Sequence, residues 1–376
     1  MTPHEYGRAT QRLAQDQLPR RSVLRLGAVG AAGIGLGALA ACGRSAAGNS
    51  DTVTRQAGES ASDYLQRLYQ AAQKEGTAVL YTPSQESEVQ ALQAAWKKQF
   101  PKVTLSVTAG STDEILQRAL VEGRSRKTKC DGYQGSMAEL TSLKSAGLLE
   151  TYRPAQEENS DPTMVDTTQP WSVDFELAFI VAYNKNKVPD PSVLPKTFDG
   201  FTDPQWKGNI AMDLDATEFV TGLIANMGLD KATALLKGFR SNGVKLIAGS
   251  STRTEQLADG QFAVQLDGYA HTIVKYVKKG SPIGVPQPQL QPVTSVLGLM
   301  AVTKGAPHPN AARLITEFAL TADAQQAYAA QNKAGARKGF SSVYSQVLGG
   351  VQPTPLGPTA NYDQARQVIK QTLVEA

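Results

Sequence analysis

Histidine and cysteine are scarce here: 376 residues contain three histidines and two cysteines. His4 lies in the N-terminal segment, and His271 and His308 are far apart, so no histidine pair has metal-ligand spacing. Cys130 has no histidine or second thiol near it in the sequence, so a metal-binding thiol is not expected, and two cysteines make no disulfide framework. No Gly-x-Ser-x-Gly nucleophile turn and no phosphate-binding glycine loop is found. An enzyme is therefore not expected, and no cofactor is expected either. Charge of one sign is also lacking outside the first 41 residues. There Arg8, Arg12, Arg20, Arg21 and Arg25 stand against Glu5 and Asp16 alone, so most of the net +4 belongs to that segment. The nearly neutral remainder offers no basic face, and a nucleic-acid partner is not expected. The apolar run over residues 26–41 is shorter and richer in glycine than a membrane-spanning helix, which needs about 20 apolar residues.

What is present begins with that run. Arg20-Arg21 followed by a short apolar stretch and small residues has the parts of an export signal, 1–41. The adjacent arginines fit a twin-arginine address, and a general secretory signal with a basic start fits as well. The run closes on Leu39-Ala40-Ala41-Cys42, which resembles a bacterial lipobox, so Cys42 is expected to be the lipidated (palmitate-type) mature N-terminus. Cys130 is then left without a disulfide partner and is expected to be a small buried hydrophobe. Residues 42–61 are rich in Ser, Ala, Gly and Thr and poor in large apolar side chains, which reads as a flexible tether. The protein would then be exported and anchored to the outer face of the cytoplasmic membrane, facing the periplasm or cell-envelope space.

From Ser62 onward the apolar pattern alternates between helical and strand periods. Tyr64, Leu65, Leu68 and Ala72 mark a helix, residues 77–81 a strand, and Val89, Leu92, Trp96 and Phe100 a second helix stopped by Pro101. Residues 103–107 read as another strand, and Ser111 with Glu114 has capping-box spacing before a third helix. Repeated strand, loop and helix units predict an α/β fold with a largely parallel sheet. At 41% hydrophobic, the chain can bury two moderate cores. In open α/β sheets a ligand lies beyond the carboxyl ends of the strands. The loops there are Thr82-Pro83-Ser84-Gln85, Gly110-Ser111-Thr112 and Tyr133-Gln134-Gly135-Ser136. Their exposed N–H groups suit an oxyanion or carboxylate, and the same hydroxyls could equally serve only as helix caps.

The blocks Gly110-Ser111-Thr112-Asp113-Glu114, Ala146-Gly147-Leu148-Leu149, Val181-Ala182-Tyr183-Asn184-Lys185, Asp203-Pro204-Gln205-Trp206-Lys207-Gly208-Asn209 and Pro307-His308-Pro309-Asn310 occur in this order. In them the chain resembles bacterial extracellular solute-binding proteins of ABC importers, in the iron(III), thiamine and 2-aminoethylphosphonate branch. The resemblance spans roughly residues 64–338. It implies a two-lobed periplasmic-binding-protein-like type II fold with a crossover hinge, lobe 1 being 62–173 plus 293–376 and lobe 2 being 174–292. The C-terminal helices would pack on the outside of lobe 1. It also implies a ligand enclosed by hinge closure, a permease as partner, and a monomer. A sensor or adhesin built on the same body is the alternative of another class.

For the ligand, the resemblance implies that ferric ion would need adjacent tyrosines, yet the second position is Ala270. Gln85 and Ser136 stand where a histidine and an acid would be. Asp267, Tyr269 and His271 form a substitute set if they share one strand face. A small anionic organic solute is the better expectation. Its candidate site consists of the hydroxyls of Ser84, Ser111, Thr112, Ser136 and Thr217, the amide of Gln85, the backbone at Gly135, and Asp174 and Phe175 at the first crossing. Arg253 would either bridge the anion or stand as a solvated cation at a helix start, with Tyr81, Tyr133, Phe175 and Tyr269 as aromatic walls.

Overall fold

The computed structural model describes residues 52–340 and 344–375. The export signal, Cys42 and the first ten residues of the expected tether lie outside these described residues.

The first part of the chain builds as its periodicities predict. Helix α1 (Ala61–Glu75) starts where the Ser60 side chain accepts from the Asp63 N–H (3.0 Å) and ends at Gly76, whose φ of 76° closes the last turn. There follow β1 (Thr77–Thr82), α2 (Glu86–Gln99), β2 (Thr104–Ala109), α3 (Thr112–Arg124), β3 (Gly132–Gly135) and α4 (Met137–Ser145). Strands β2, β1 and β3 are parallel neighbours. The third strand begins at Gly132, so Tyr133 and Gln134 lie within it and only Ser136 is the turn into α4. Tyr64, Leu68, Trp96 and Phe100 pack with Phe318 in one core on this side.

Strand β4 (Ser172–Asn184) then runs through the middle of the molecule, and only Leu177 along it is less than fully buried. A strand covered on both faces carries a nearly continuous apolar run, and the sequence from Phe175 to Tyr183 has one. Beyond it come β5 (Ile210–Met212), α5 (Thr217–Met227), α6 (Leu229–Ser241), β6 (Lys245–Leu246), α7 (Ser250–Ala258), β7 (Val264–Tyr269), α8 (Ala270–Lys278) and β8 (Ile283–Gly284). The chain returns through β9 (Thr294–Val302), α9 (Pro309–Ala319), α10 (Ala322–Ala330), β10 (Ala334–Gly335), α11 (Ser345–Leu348), β11 (Thr354–Pro355) and α12 (Tyr362–Ile369).

The strand order is β2-β1-β3-β9-β4-β7-β5-β6. The first stretch of β4, Ser172 to Ala178, pairs with β9, and the next, from Phe179 to Tyr183, pairs with β7. One strand thus belongs to both halves, with a register shift between Val173 and Phe175 where Asp174 sits. A bulge of this kind re-aims a side chain and bends the strand.

Two expectations change. The chain is ordered before Ser62: the Val53 N–H donates to Asn310 Oδ1 (2.8 Å), and Arg67 donates to the Thr54 carbonyl (2.7 Å). The tether therefore cannot extend through residue 61, because polar backbone groups of residues 53 and 54 find partners on the body. The resemblance implies that the last helix packs on the outer surface of lobe 1, as part of that lobe. Instead Ala365, Val368 and Ile369, with Leu373 beyond α12, join Phe219, Leu223 and Leu235 in the second core. The apolar stripe of α12 needs a partner surface, and α5 and α6 supply it. Cys130 is buried and free, and its thiol donates to the Gly132 carbonyl (2.9 Å).

Candidate functional site

A cavity of about 310 Å³ opens where the carboxyl ends of β1 and β3 meet the starts of α5, α7 and α8. Its floor is made by β4 and β9 through Phe175, Leu177, Val296, Leu297 and Gly298. The Phe175 ring packs against Gly298: a Cβ added there would stand 2.3 Å from the ring. Glycine at that strand position is what lets the aromatic floor lie so close to the backbone.

The first half contributes three helix starts, and each is already occupied by its own side chain. Glu88 accepts from the Gln85 N–H (3.2 Å), Ser111 accepts from the Glu114 N–H (3.3 Å), and Glu139 accepts from the Ser136 N–H (2.8 Å). The second half differs. Helices α5, α7 and α8 start at Ala216, Gly249 and Tyr269 with no side-chain cap bond. Glu218, Ser250, His271 and Thr272 from their first turns line the cavity, and the Ser250 and Thr272 hydroxyls lie 3.2 Å apart.

Charge in the cavity is mostly negative and internally matched. Glu139 also accepts from the Tyr133 hydroxyl (2.6 Å), and burial raises its pKa. Glu218 accepts from the Tyr269 hydroxyl (2.6 Å); burial raises its pKa, and the facing Glu139 adds to the rise. Burial next to Glu218 holds the Tyr269 phenol protonated. His271 is pushed down to about 4 by burial, with Lys333 and Lys275 adding to the effect, so its imidazole is neutral near pH 7. Lys333 Nζ lies 3.1 Å from a Glu88 carboxylate oxygen and 4.2 Å from the centre of the Phe175 ring.

The structure brings Ser84, Gln85, Thr112, Gly135, Ser136, Phe175, Tyr269 and His271 onto the cavity wall. It does not bring the others there. Tyr81 is buried and donates its hydroxyl to Glu122 (3.0 Å). Ser111 faces solvent as the cap of α3. Thr217 is buried with its hydroxyl on Asp215. Arg253 is 1% exposed and bound to Asp213, to the Ile247 carbonyl (2.9 Å) and beside Asp267 (3.3 Å). Its charge is consumed below the cavity and is not offered to a ligand. Asp267, also 1% exposed, accepts from the Asp213 N–H (2.8 Å). The expected shared face of Asp267, Tyr269 and His271 fails because the strand stops at Tyr269 and His271 lies in α8. Asp174 sits behind the wall, where it accepts from Gln134 Nε2 (2.8 Å). Gln134 in turn accepts from the hydroxyls of Thr82 (3.1 Å) and Ser84 (3.3 Å).

Sequence reasoning missed Glu88, Glu139, Glu218, Lys333 and the β9 residues. Glu88 and Glu139 were detectable, since Gln85 with Glu88 and Ser136 with Glu139 have capping-box spacing. Lys333 carries no local signal; it arrives from a turn about 200 residues after the wall it joins. Among the described residues no group of three or more His, Cys, Asp or Glu is placed to hold a metal ion, and no helix is long and apolar enough to cross a membrane.

The sequence profile described as bacterial extracellular solute-binding protein matches residues 91–343. Iron uptake protein A1 of Synechocystis is 24% identical over 245 residues, covering 61% of this chain and 67% of that protein. Iron-bound HitA from Pseudomonas aeruginosa superposes with a TM-score of 0.68 at 20% identity, over 79% of this chain and 99% of that one. AfuA from Actinobacillus pleuropneumoniae, with fructose-6-phosphate bound, gives 0.60 at 18% identity, over 79% and 97%. At these identities the structural likeness establishes the fold, a two-lobed α/β architecture of the periplasmic type II class.

Proposed function

The chain belongs to the bacterial extracellular solute-binding proteins, and from that premise we propose that it captures a small organic solute bearing an anionic group and hands it to an ABC importer. The observation that carries this reading is the asymmetry of the cavity. Helix starts of the first half are filled by their own carboxylates or hydroxyl, whereas the three from the second half present N–H groups without side-chain caps. Such N-termini favour an anion through their unpaired donors and the helix dipole. The aromatic floor of Phe175 and the apolar Leu177 and Val296 suit the organic part of the solute. In this reading lobe 1 and lobe 2 close about β4 over the ligand.

Ferric ion is the second reading, favoured by the Tyr269, Glu218 and His271 cluster and by the iron-related relatives. Against it stand Ala270, buried in place of a second tyrosine, and a Tyr269 phenol held protonated on Glu218. Ferric ion prefers several anionic oxygens.

The test is native mass spectrometry and metal analysis of the purified mature protein, followed by thermal-shift screening of organic anions and ferric citrate. An organic anion is expected to raise the midpoint, by about 2.7 kcal/mol of stabilisation at a hundredfold excess over Kd. A stoichiometric coloured ferric complex that loses its colour in Tyr269→Phe would replace the anion reading with the iron reading.

The proposed location is the outer face of the cytoplasmic membrane, held by lipid on Cys42. Cys42→Ser is expected to move the protein from the membrane to the soluble or secreted fraction. Acylated product from that variant would refute the anchor.

A further inference from the structure

The cavity wall contains one lysine and no arginine among the described residues, and nothing in that lysine's own sequence neighbourhood marks it. Lys333 is 4% exposed. It lies in the turn between α10 and β10, directly after Asn332, whose φ of 60° places a non-glycine residue in the left-handed region. That conformation is uncommon and is held only where surroundings fix it. Here Asn332 Oδ1 accepts from Lys278 (2.6 Å), and the Lys333 N–H donates to the Tyr328 carbonyl (3.1 Å). The turn therefore directs the lysine inward, with its ammonium over the Phe175 ring and its carboxylate partner supplied by Glu88 of α2.

This arrangement does not match a purely structural ion pair. Glu88 already has a second task, closing the N-terminus of α2 at Gln85. An ammonium has three donors. One carboxylate partner and an aromatic face leave this one under-coordinated at a cavity wall. Glu88 itself lines the same cavity.

We propose that Lys333 receives the anionic group of the ligand, and that Glu88 holds the lysine until the ligand displaces it. Lys333 is then a specificity-determining contact and Glu88 an internal competitor. In the ligand-free protein the pair keeps a buried cation compensated. When the ligand enters, its anionic group takes over the ammonium, and Glu88 keeps its bond to the Gln85 N–H. This deepens the organic-anion reading above and rests on it.

The test uses the purified mature chain titrated with inorganic phosphate, methylphosphonate and succinate, read by thermal shift and by calorimetry. The wild type is expected to bind at least one of them. For that probe, Lys333→Met is expected to weaken binding about ten- to a hundredfold, in line with loss of a charge-assisted bond. Lys333→Arg should recover most of it. Glu88→Gln is expected to tighten binding about three- to tenfold, a gain of affinity that misfolding cannot imitate. Equal affinity of wild type and Lys333→Met, or unchanged affinity in Glu88→Gln, overturns the assignment of the pair and leaves the organic-anion reading standing. Response of the wild type to ferric citrate and to none of the three anions overturns that reading and this inference together.

Discussion

Arg253→Met is expected to be the most damaging single substitution outside the apolar core, costing about 3–5 kcal/mol. The guanidinium is 1% exposed and holds together Asp213, the Ile247 carbonyl and Asp267, which is itself 1% exposed. Removing it leaves the Asp267 carboxylate in low dielectric without its cation. Urea denaturation is expected to lose most of that free energy, and the thermal midpoint to fall by about 10 °C. The direction with pH follows from Asp267. Its pKa is raised from the ordinary 3.8 to about 6, chiefly by burial, with Arg253 opposing the rise. Without Arg253 the rise is larger, so the variant pays most at high pH, and its deficit shrinks as the medium becomes acid enough to protonate Asp267. The double variant Arg253→Met with Asp267→Leu should regain much of the stability, because an apolar pair in place of a buried ion pair is often neutral. A single variant as stable as wild type at pH 8 would show that the pair is solvated in solution.

Asp174→Asn is expected to act in the opposite sense and to stabilise the protein at pH 8. Asp174 is fully buried at the β4 register shift, and burial raises its pKa from 3.8 to about 7, against the bonds from Gln134 and Tyr328 and the charge of Lys333. A carboxyl whose folded pKa is raised contributes stability that is complete below 3.8 and is lost as pH rises through about 7. Three units correspond to an upper bound of roughly 4 kcal/mol. Asparagine keeps an oxygen for Gln134 Nε2 (2.8 Å in the wild type) and carries no charge to desolvate. The gain of the variant over wild type should therefore be greatest at pH 8 and fade between pH 7 and pH 4. Parallel stability profiles for the two proteins across that range would refute the raised pKa. Because Asp174 is bonded to the glutamine that accepts from Thr82 and Ser84, the same variant reports whether this buried network sets the position of the first wall of the cavity.

The sequence by itself determined the α/β class, most of the first helices and strands, the family, and the loops that wall the first half of the cavity. These are local properties. Apolar period, caps such as Ser111, and stop signals such as Gly76 and Pro101 act within a turn or two of the chain, so they can be read without knowing what packs where. The first wall was legible for the same reason: Ser84, Gln85, Thr112 and Ser136 lie at strand-to-helix turns, and in this topology such turns border the cavity.

Tertiary structure decided which polar side chains face the cavity and which are spent below it. Arg253 and Lys333 show the difference. Both are basic residues near the start of a helix or turn, and in the sequence Arg253, within Ser250-Ser251-Thr252-Arg253, is the more suggestive. The fold places Asp213 and Asp267 against Arg253 and consumes its charge, while the left-handed turn at Asn332 carries Lys333 across to α2 and the Phe175 ring. Likewise Tyr269 lines the cavity whereas Asp267, two residues earlier on the same strand, is buried beside Arg253 and on the Asp213 N–H, and His271 reaches the cavity from the first turn of α8 and not from the strand. Electrostatic roles depend on partners dozens to hundreds of residues away, and no local pattern encodes them.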